Sequence, residues 1–102
     1  MTESGSGLYF GLIRLHILHH AAQKPGYGSW VIKELHSHGY EISPGTLYPM
    51  LQRVKQKGYL HSQPEGLGKR DRRFYTITSE GSRALAGAKE KGKELFGEMF
   101  NS

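Results

Sequence analysis

Three segments with helical patterning, separated by glycine and proline, occupy the first sixty residues of this chain. The sequence KPGYG follows the first segment, Gly39 follows the second and Gly58 follows the third. Because glycine and proline are unfavourable inside a helix, each of these positions predicts a helix end. The chain is therefore expected to begin with three short helices, over about residues 7–23, 29–38 and 44–57.

Apolar residues at helical spacing support these helices. In the second helix, Ser29 is the predicted N-cap and Gly39 the residue that follows the C-cap. Residues 1–6 are small and polar, and we expect them to be disordered. The first helix carries an apolar stripe with flanking residues that widen it: Leu8, Leu12, Leu15 and Ala22, with Ile13, Ile17 and Leu18.

The third predicted helix separates an apolar side from a polar side of little bulk. Ser43 is a favoured N-cap and Pro44 fits the first helical position. With a 3.6-residue turn, the apolar side contains Leu47, Met50, Leu51 and Val54, and the opposite side contains Gly45, Pro49, Gln52 and Gln56, flanked by Thr46, Arg53 and Lys57 on one edge and Tyr48 and Lys55 on the other.

Such a helix suits insertion, N-terminus first, into a DNA major groove. Gly45 would let the backbone approach, the free N–H groups of the first turn would bind phosphate, and Gln52 could pair with adenine. A surface helix whose polar side is only solvated gives the same pattern, so the pattern alone leaves both interpretations open.

Pro49 is unusual at its position in this helix. It has no N–H to donate to the carbonyl of Gly45, and it disfavours helical geometry at Tyr48. Two outcomes follow: either the helix begins near Thr46, or its first turn is loosened.

The second half of the chain predicts a β-hairpin and a last helix. YLHSQPE and RRFYTIT are strand-like, and the glycine-rich and charged GLGKRD lies between them. Thr78 is the predicted cap of the last helix, with Glu80 in its first turn. The predicted fold is mostly α with a small β-hairpin, that is, a winged helix-turn-helix over residues 7–78 followed by a C-terminal dimerisation helix over residues 79–102.

Composition and charge narrow the possible functions. The chain has 102 residues, no cysteine, a net charge of +5 and a pI of about 9.6. Seven of its fourteen Lys and Arg residues fall between Arg53 and Arg73, against only Glu65 and Asp71. This concentration favours binding to DNA through the third helix and the hairpin tip. No secretion signal or membrane span is predicted, and we expect a cytoplasmic protein.

Two motifs resemble the PadR family of bacterial transcriptional regulators. One is the segment from Ser43 to Pro49, with the sequence SPGTLYP, and the other consists of Tyr75, Thr78, Gly81 and Leu85. The resemblance covers about residues 8–100. It implies a winged helix-turn-helix that dimerises through helix 1 and the C-terminal helix. It also implies a palindromic operator, usually a repressor role, and release by a small, often aromatic or drug-like molecule.

The resemblance also implies which residues contact DNA. Tyr27 and Gly28 would lie near phosphate at the start of the second helix, and the start of the third helix would present the recognition end. Together with the residues derived from the helix itself and the hairpin tip, the predicted DNA-binding set is Tyr27, Gly28, Ser43, Gly45, Thr46, Tyr48, Pro49, Gln52, Arg53, Lys55, Lys69, Arg70, Arg72 and Arg73.

The last helix carries an apolar seam with alternating spacings of three and four residues. Such seams pair with a partner helix, although this one could instead fold back on its own chain. Three glycines weaken the helix and favour support from a second subunit. The predicted dimer interface consists of Leu8, Leu12, Leu85, Ala88, Gly92, Leu95, Phe96, Met99 and Phe100.

Three other functional classes are weighed against DNA binding. His16 and His20 have an i, i+4 spacing that can share a metal ion, so a metal-responsive regulator that uses this pair is kept as an alternative. Because there is no cysteine or HExxH context, no metal ligand and no cofactor is assigned. An enzyme is not expected, because no phosphate-binding loop, carboxylate pair or nucleophile motif is present. A module that binds only proteins would not need its cations gathered on the third helix and the hairpin tip.

Overall fold

The computed structural model describes residues 4–65 and 72–101, which form four helices and three strands. Their order confirms the three helices, the hairpin and the last helix that the sequence predicts. The elements are α1 (Ser4–Gln23), β1 (Gly26–Tyr27), α2 (Gly28–Ser37), α3 (Pro44–Gln56), β2 (Leu60–Glu65), β3 (Arg72–Ile77) and α4 (Ser79–Asn101).

The sheet is antiparallel and has the strand order β1-β3-β2. β2 and β3 form the predicted hairpin, in which Ser62 is paired with Tyr75. The sequence did not predict β1, whose two residues Gly26 and Tyr27 pair with Tyr75 and Phe74. Two residues are too few to show the alternation of a strand. Through its pairing with β3, β1 holds the connection between α1 and α2 against the hairpin.

The core lies where α1, α2 and α3 meet the sheet and the start of α4. The predicted apolar side of α3 is confirmed, and its Leu47 and Leu51 are completely inaccessible to solvent. The buried apolar residues are Ile13, Ile17, Leu18, Val31, Leu35, Ile42, Leu47, Met50, Leu51, Val54, Leu60, Tyr75 and Leu85.

The ends of α2 and α3 show which glycine and cap predictions hold. Gly39 and Gly58 have φ angles of 91° and 88°, as expected for residues that follow helix C-caps. Ser43 is the extended N-cap of α3, although its side chain caps no backbone N–H. The prediction that Ser29 caps α2 is wrong. Tyr27 is the N-cap and the helix begins at Gly28, because β1 runs directly into α2.

Pro49 lies inside a continuous α3. The amides of Thr46 and Leu47 both donate to the carbonyl of Ser43, at 3.1 and 2.9 Å. The helix therefore begins at Pro44 and its first turn is closed, so neither of the two expected outcomes holds. Because Pro49 has no N–H, the carbonyl of Gly45 lacks its usual intrahelical donor, and Gly45 is exposed.

α1 differs from its prediction in its start and in its buried side. It begins at Ser4, so residues 4–6 are helical where we expected disorder. Its buried side is formed by Ile13, Ile17 and Leu18, whereas Leu8 and Leu12 are exposed. Because this helix is apolar on more than one side, spacing alone did not show which side faces the core.

The joint between the hairpin and α4 is held by Thr78. Its Oγ1 accepts a hydrogen bond from the amide of Gly81 at 2.9 Å and donates one to the carbonyl of Gly58 at 2.6 Å. A Cβ on Gly81 would overlap the carbonyl oxygen of Tyr59, so only glycine fits here. The predicted cap is confirmed, and it joins α4 to the end of α3.

Leu85 corrects the prediction of a dimer seam along the whole of α4. It is 8% exposed and belongs to the core of the single chain. The first two turns of α4 pack against the rest of the domain, because the Thr78 joint holds them against α1 and the sheet. The large apolar side chains of the seam are exposed only beyond Leu85, from Leu95 onwards.

The Thr78 joint can be tested with two substitutions of different polarity. Thr78→Val keeps the shape but removes both hydroxyl hydrogen bonds, so the free energy of unfolding should fall by about 1–2 kcal/mol. Thr78→Ser keeps the hydroxyl and should lose less than half of that. Urea denaturation of both variants measures the difference. Equal losses would show that the methyl group, not the hydroxyl, stabilises the joint.

Candidate nucleic-acid interface

The polar side of α3 that is predicted to contact DNA bases, the reading side, faces solvent. Gly45, Pro49 and Gln52 are exposed, as is Gln56 one turn after Gln52. Among the flanking residues, Thr46 and Arg53 are exposed, Tyr48 is 40% exposed and Lys55 is half-buried. The polar side predicted from the sequence is therefore accessible over the whole length of the helix.

The N-terminal end of α3 is exposed and has little bulk. A Cβ added to Gly45 would have only the Ser43 hydroxyl nearby, at 3.8 Å. Ser43 Oγ donates a weak hydrogen bond of 3.4 Å to Oγ1 of Thr46. Since the N-terminus of a helix attracts anions, this end can approach a phosphate backbone closely.

Gly28 and Tyr48 join the start of α2 to the reading helix. A Cβ on Gly28 would lie 2.5 Å from Cε1 of Tyr48, so the tyrosine ring fills the space that the glycine leaves. Gly28 is buried, which makes it a support for Tyr48 and leaves no side chain to contact DNA. The sequence pointed to both residues but not to their contact.

Tyr27 lies between α2 and the hairpin. It is the N-cap of α2, and its ring packs edge-on against Phe74 of β3, with 5.1 Å between the ring centroids. The predicted location at the start of α2 is confirmed. Its half-buried ring connects the start of α2 to β3, the second strand of the hairpin.

The wing, which consists of β2, β3 and the segment that connects them, is described only in part. Lys69 and Arg70 lie outside the described residues. Arg72 is the first residue of β3 and is paired in the backbone register with Glu65, and Arg73 is exposed. Of the predicted wing cations, Arg73 is therefore the one whose side chain is described as accessible.

A pocket of about 330 Å³ lies between α1, α3 and the start of α4. Its lining is mainly apolar, with three cationic side chains, Arg14, Arg53 and Lys57. Arg53 belongs both to this pocket and to the flank of the reading helix. Ala88, predicted in the dimer seam, also lines the pocket.

The second half of α4 exposes a row of large apolar side chains, and so does the start of α1. Phe96 and Phe100 stack with their ring centroids 6.2 Å apart. Gly92, at the start of this half, is half-buried. The exposed large apolar residues on the two helices are Leu8, Tyr9, Leu12, Leu95, Phe96, Met99 and Phe100.

A cluster of histidines lies where α1 meets the end of α2. Burial lowers the pKa of His16, and the neighbouring His38, His20 and His19 lower it further. Burial also lowers the pKa of His20, although the nearby carboxylate of Glu34 acts in the opposite direction. The sequence suggested His16 and His20 as a pair but did not add His38, because their proximity depends on how α2 packs against α1.

Three helices followed by a β-hairpin, with an exposed and cation-flanked third helix, define a winged helix-turn-helix protein that binds DNA. The chain belongs to the PadR-like family of transcriptional regulators, whose family model matches residues 17–87. The resemblance inferred from SPGTLYP and from Tyr75, Thr78, Gly81 and Leu85 is thus confirmed.

Individual relatives agree with this assignment. The chain is 45% identical over 88 residues to the transcriptional regulator Rv3488 of Mycobacterium tuberculosis (strain ATCC 25618 / H37Rv), which covers 86% of this chain and 82% of that protein. It superposes with a TM-score of 0.82 on a PadR-like transcription factor from Bacteroides fragilis, at 28% identity over 98% of this chain and 97% of that one. A PadR family regulator from Eggerthella lenta DSM 2243 gives a TM-score of 0.77 at 27% identity, covering 97% and 91%.

These comparisons settle the broad functional class. The chain is a DNA-binding transcriptional regulator, and the family and its relatives are regulators rather than enzymes. The alternative of a module that binds only proteins is therefore set aside. Among the described residues, no helix is both long and apolar enough to cross a lipid bilayer.

The contact between Gly28 and Tyr48 can be measured with a double-mutant cycle. Gly28→Ala should lower the free energy of unfolding by about 1–3 kcal/mol, because the new Cβ displaces the tyrosine ring. In a Tyr48→Ala background the same substitution should cost much less, since the ring is gone. Chemical denaturation of the four proteins gives the coupling. If Gly28→Ala costs the same in both backgrounds, the two residues are not coupled.

Proposed function

We propose that this regulator binds a palindromic operator as a homodimer, represses transcription from it, and is released by a small aromatic or drug-like effector. The observation that carries the proposal is the exposed apolar second half of α4, on a chain that also presents an accessible reading helix. A two-fold axis through α4 would place two such helices on one palindrome.

In this proposal α3 enters the major groove with its N-terminal end first. Gly45 lets the backbone approach, and the amides of the first turn face phosphate. Tyr48, supported by Gly28, lies at the edge of this end. Gln52 is exposed one turn further along and is the proposed contact to a base, since glutamine can pair with adenine through two hydrogen bonds.

Affinity is proposed to come mainly from cations beside the reading helix and on the wing. Arg53 and Lys55 flank α3, and Arg72 and Arg73 begin β3. Lys69 and Arg70, outside the described residues, remain predicted phosphate contacts on the sequence pattern alone. Because few side chains on the reading side can contact base edges, DNA shape is expected to supply part of the specificity.

Dimerisation is supported by the exposure of apolar side chains that a monomer leaves in water. Phe100 is 81% exposed and Leu95 is 51% exposed on α4, and Leu8 is 76% exposed on α1. A patch of this kind on a soluble chain marks an interaction surface. The proposed interface joins this half of α4, together with Leu8 and Leu12, to a second copy, and Leu85 is no longer part of it.

Effector release is supported by the pocket beside α3. Its apolar lining suits an aromatic ring, and Arg14, Arg53 and Lys57 suit an acidic substituent on that ring. An occupant that pairs with Arg53 would withdraw this cation from the proposed phosphate contact. The same proposal requires access to the chromosome, which is the reason to place the protein in the cytoplasm.

Two variants with the same change in charge test the DNA surface. Lys55→Ala with Arg73→Ala should weaken binding to all DNA sequences. Each lost phosphate contact should also reduce the slope of log affinity against log salt concentration by about one. Lys33→Ala with Arg83→Ala, which removes two exposed cations outside the proposed DNA surface and dimer interface, should leave both unchanged. Fluorescence anisotropy across a salt series, with DNA from upstream of the gene, measures the difference.

Two results would contradict this assignment of the DNA surface. Equal weakening by the two charge-matched pairs would mean that net charge, not these positions, determines the affinity. A Gln52→Ala variant that selects the same sequences as the parent chain would remove Gln52 from base reading, because its loss should cost about 1–3 kcal/mol at one base pair.

The dimer interface is tested with carboxylates placed inside and outside it. Leu95→Glu with Phe96→Glu should weaken dimerisation by about 100-fold or more, because each interface would bury unpaired charges. Binding to a palindromic site should fall with it. Ser82→Glu with Gly87→Glu adds the same charge at exposed positions in the first half of α4, outside the proposed interface, and should have little effect. Sedimentation equilibrium measures both, and an unchanged Leu95→Glu, Phe96→Glu dimer would place the interface elsewhere.

A further inference from the structure

Three histidines from two helices converge at one side of the domain. His16 and His20 are one turn apart on α1, and His38 is the C-cap residue of α2. One ring nitrogen from each lies within 4.8 Å of the other two. The rings are nearly parallel, and their centroids are 4.7 Å apart for His16 and His38, and 5.6 Å apart for His20 and His38.

His20 has a buried ring nitrogen without a hydrogen-bond partner in the part of the chain that the structure describes. The residue is only 8% exposed, and among the described residues its Nε2 has no hydrogen-bond partner. The carboxylate oxygen of Glu34 lies 3.9 Å from this nitrogen, which is beyond hydrogen-bonding distance. A buried polar atom without a partner costs free energy, so its retention in a polar cluster points to a ligand that supplies the missing bond.

We propose that His16, His20 and His38 form a binding site for one divalent transition-metal ion of the zinc type. Imidazole nitrogen is a ligand that Zn²⁺, Ni²⁺ and Co²⁺ share, and three histidines with one open position form a common zinc-site arrangement. Glu34 places a negative charge beside the cation. None of these three histidines belongs to the predicted DNA-binding set or to the proposed dimer interface, and the proposal does not depend on either.

The geometry permits closure around an ion with small movements. Metal–nitrogen bonds of about 2.0–2.1 Å in a tetrahedral site place the nitrogens roughly 3.4 Å apart. The present spacing of up to 4.8 Å must therefore shrink by about 1.4 Å, which rotation of the rings about their side-chain torsions can supply. His38 is exposed and ends its helix, so it is the ligand with the most freedom to move.

The backbone that holds His38 explains why the site couples two helices. Gly39, with φ of 91°, turns the chain directly after His38, and Tyr40 then packs edge-on against His16 with their ring centroids 5.2 Å apart. This turn connects α2 to α3. A bound ion would therefore bond α1 to the end of α2, at the beginning of the connection to the reading helix.

Titration of the full chain, without any added histidine tag, with Zn²⁺ in a calorimeter tests the proposal. The expected result is one ion per chain, bound at least tenfold more weakly by His16→Ala and by His38→Ala. His19→Ala on the same helix and His61→Ala on β2 remove exposed histidines outside the cluster, and should bind as the parent chain does. Zn²⁺ should also raise the unfolding temperature of the parent chain but not of His38→Ala.

The outcomes separate a built site from weak surface binding. His38→Ala removes only an exposed side chain, so it should fold even if the more buried His20→Gln does not. Co²⁺ bound to the parent chain should show the strong visible absorption of a tetrahedral site, lost in His38→Ala. The absence of saturable binding, or equal weakening by His19→Ala and His38→Ala, would overturn the proposal.

Discussion

Burial of the apolar side of α3 is the interaction on which the rest of the structure depends. Leu47 and Leu51 are completely inaccessible, and fully burying a leucine side chain contributes about 1.5–3 kcal/mol. A rotation of the helix by one residue would expose these side chains and bury glutamine or arginine. The rotation of α3 is therefore fixed by its core contacts, and the same contacts hold Gly45, Pro49 and Gln52 in solvent.

α4 connects this core to the surface proposed for dimerisation. Its first turns belong to the domain, because Thr78 and Gly81 join them to Gly58 and Tyr59, and Leu85 is buried. Its second half has apolar side chains without cover in the single chain. α4 therefore begins in the core that holds α3 and ends in the exposed apolar row.

Much of the fold and of the reading side could be predicted, because these features are local. Proline, glycine and apolar spacing define the bounds of α3. The cap that Thr78 gives to Gly81 and the backbone torsion of Gly39 each involve only a few residues. The features that were missed depend on distant parts of the chain. β1 forms because its two residues pair with Tyr75 and Phe74, which are distant along the chain. The same pairing makes Tyr27, and not the predicted Ser29, the N-cap of α2.

By itself the sequence determined the order of the helices and the hairpin, the family, and which side of α3 is polar, since each of these depends on residues close together along the chain. Tertiary structure alone decided that the buried side of α1 is the one with Ile17, that Leu85 belongs to the core, and that Gly28 makes room for Tyr48. It also brought His38 to His16 and His20. The reason is that the packing angle between two helices is set by all of their contacts together, and no local pattern records it.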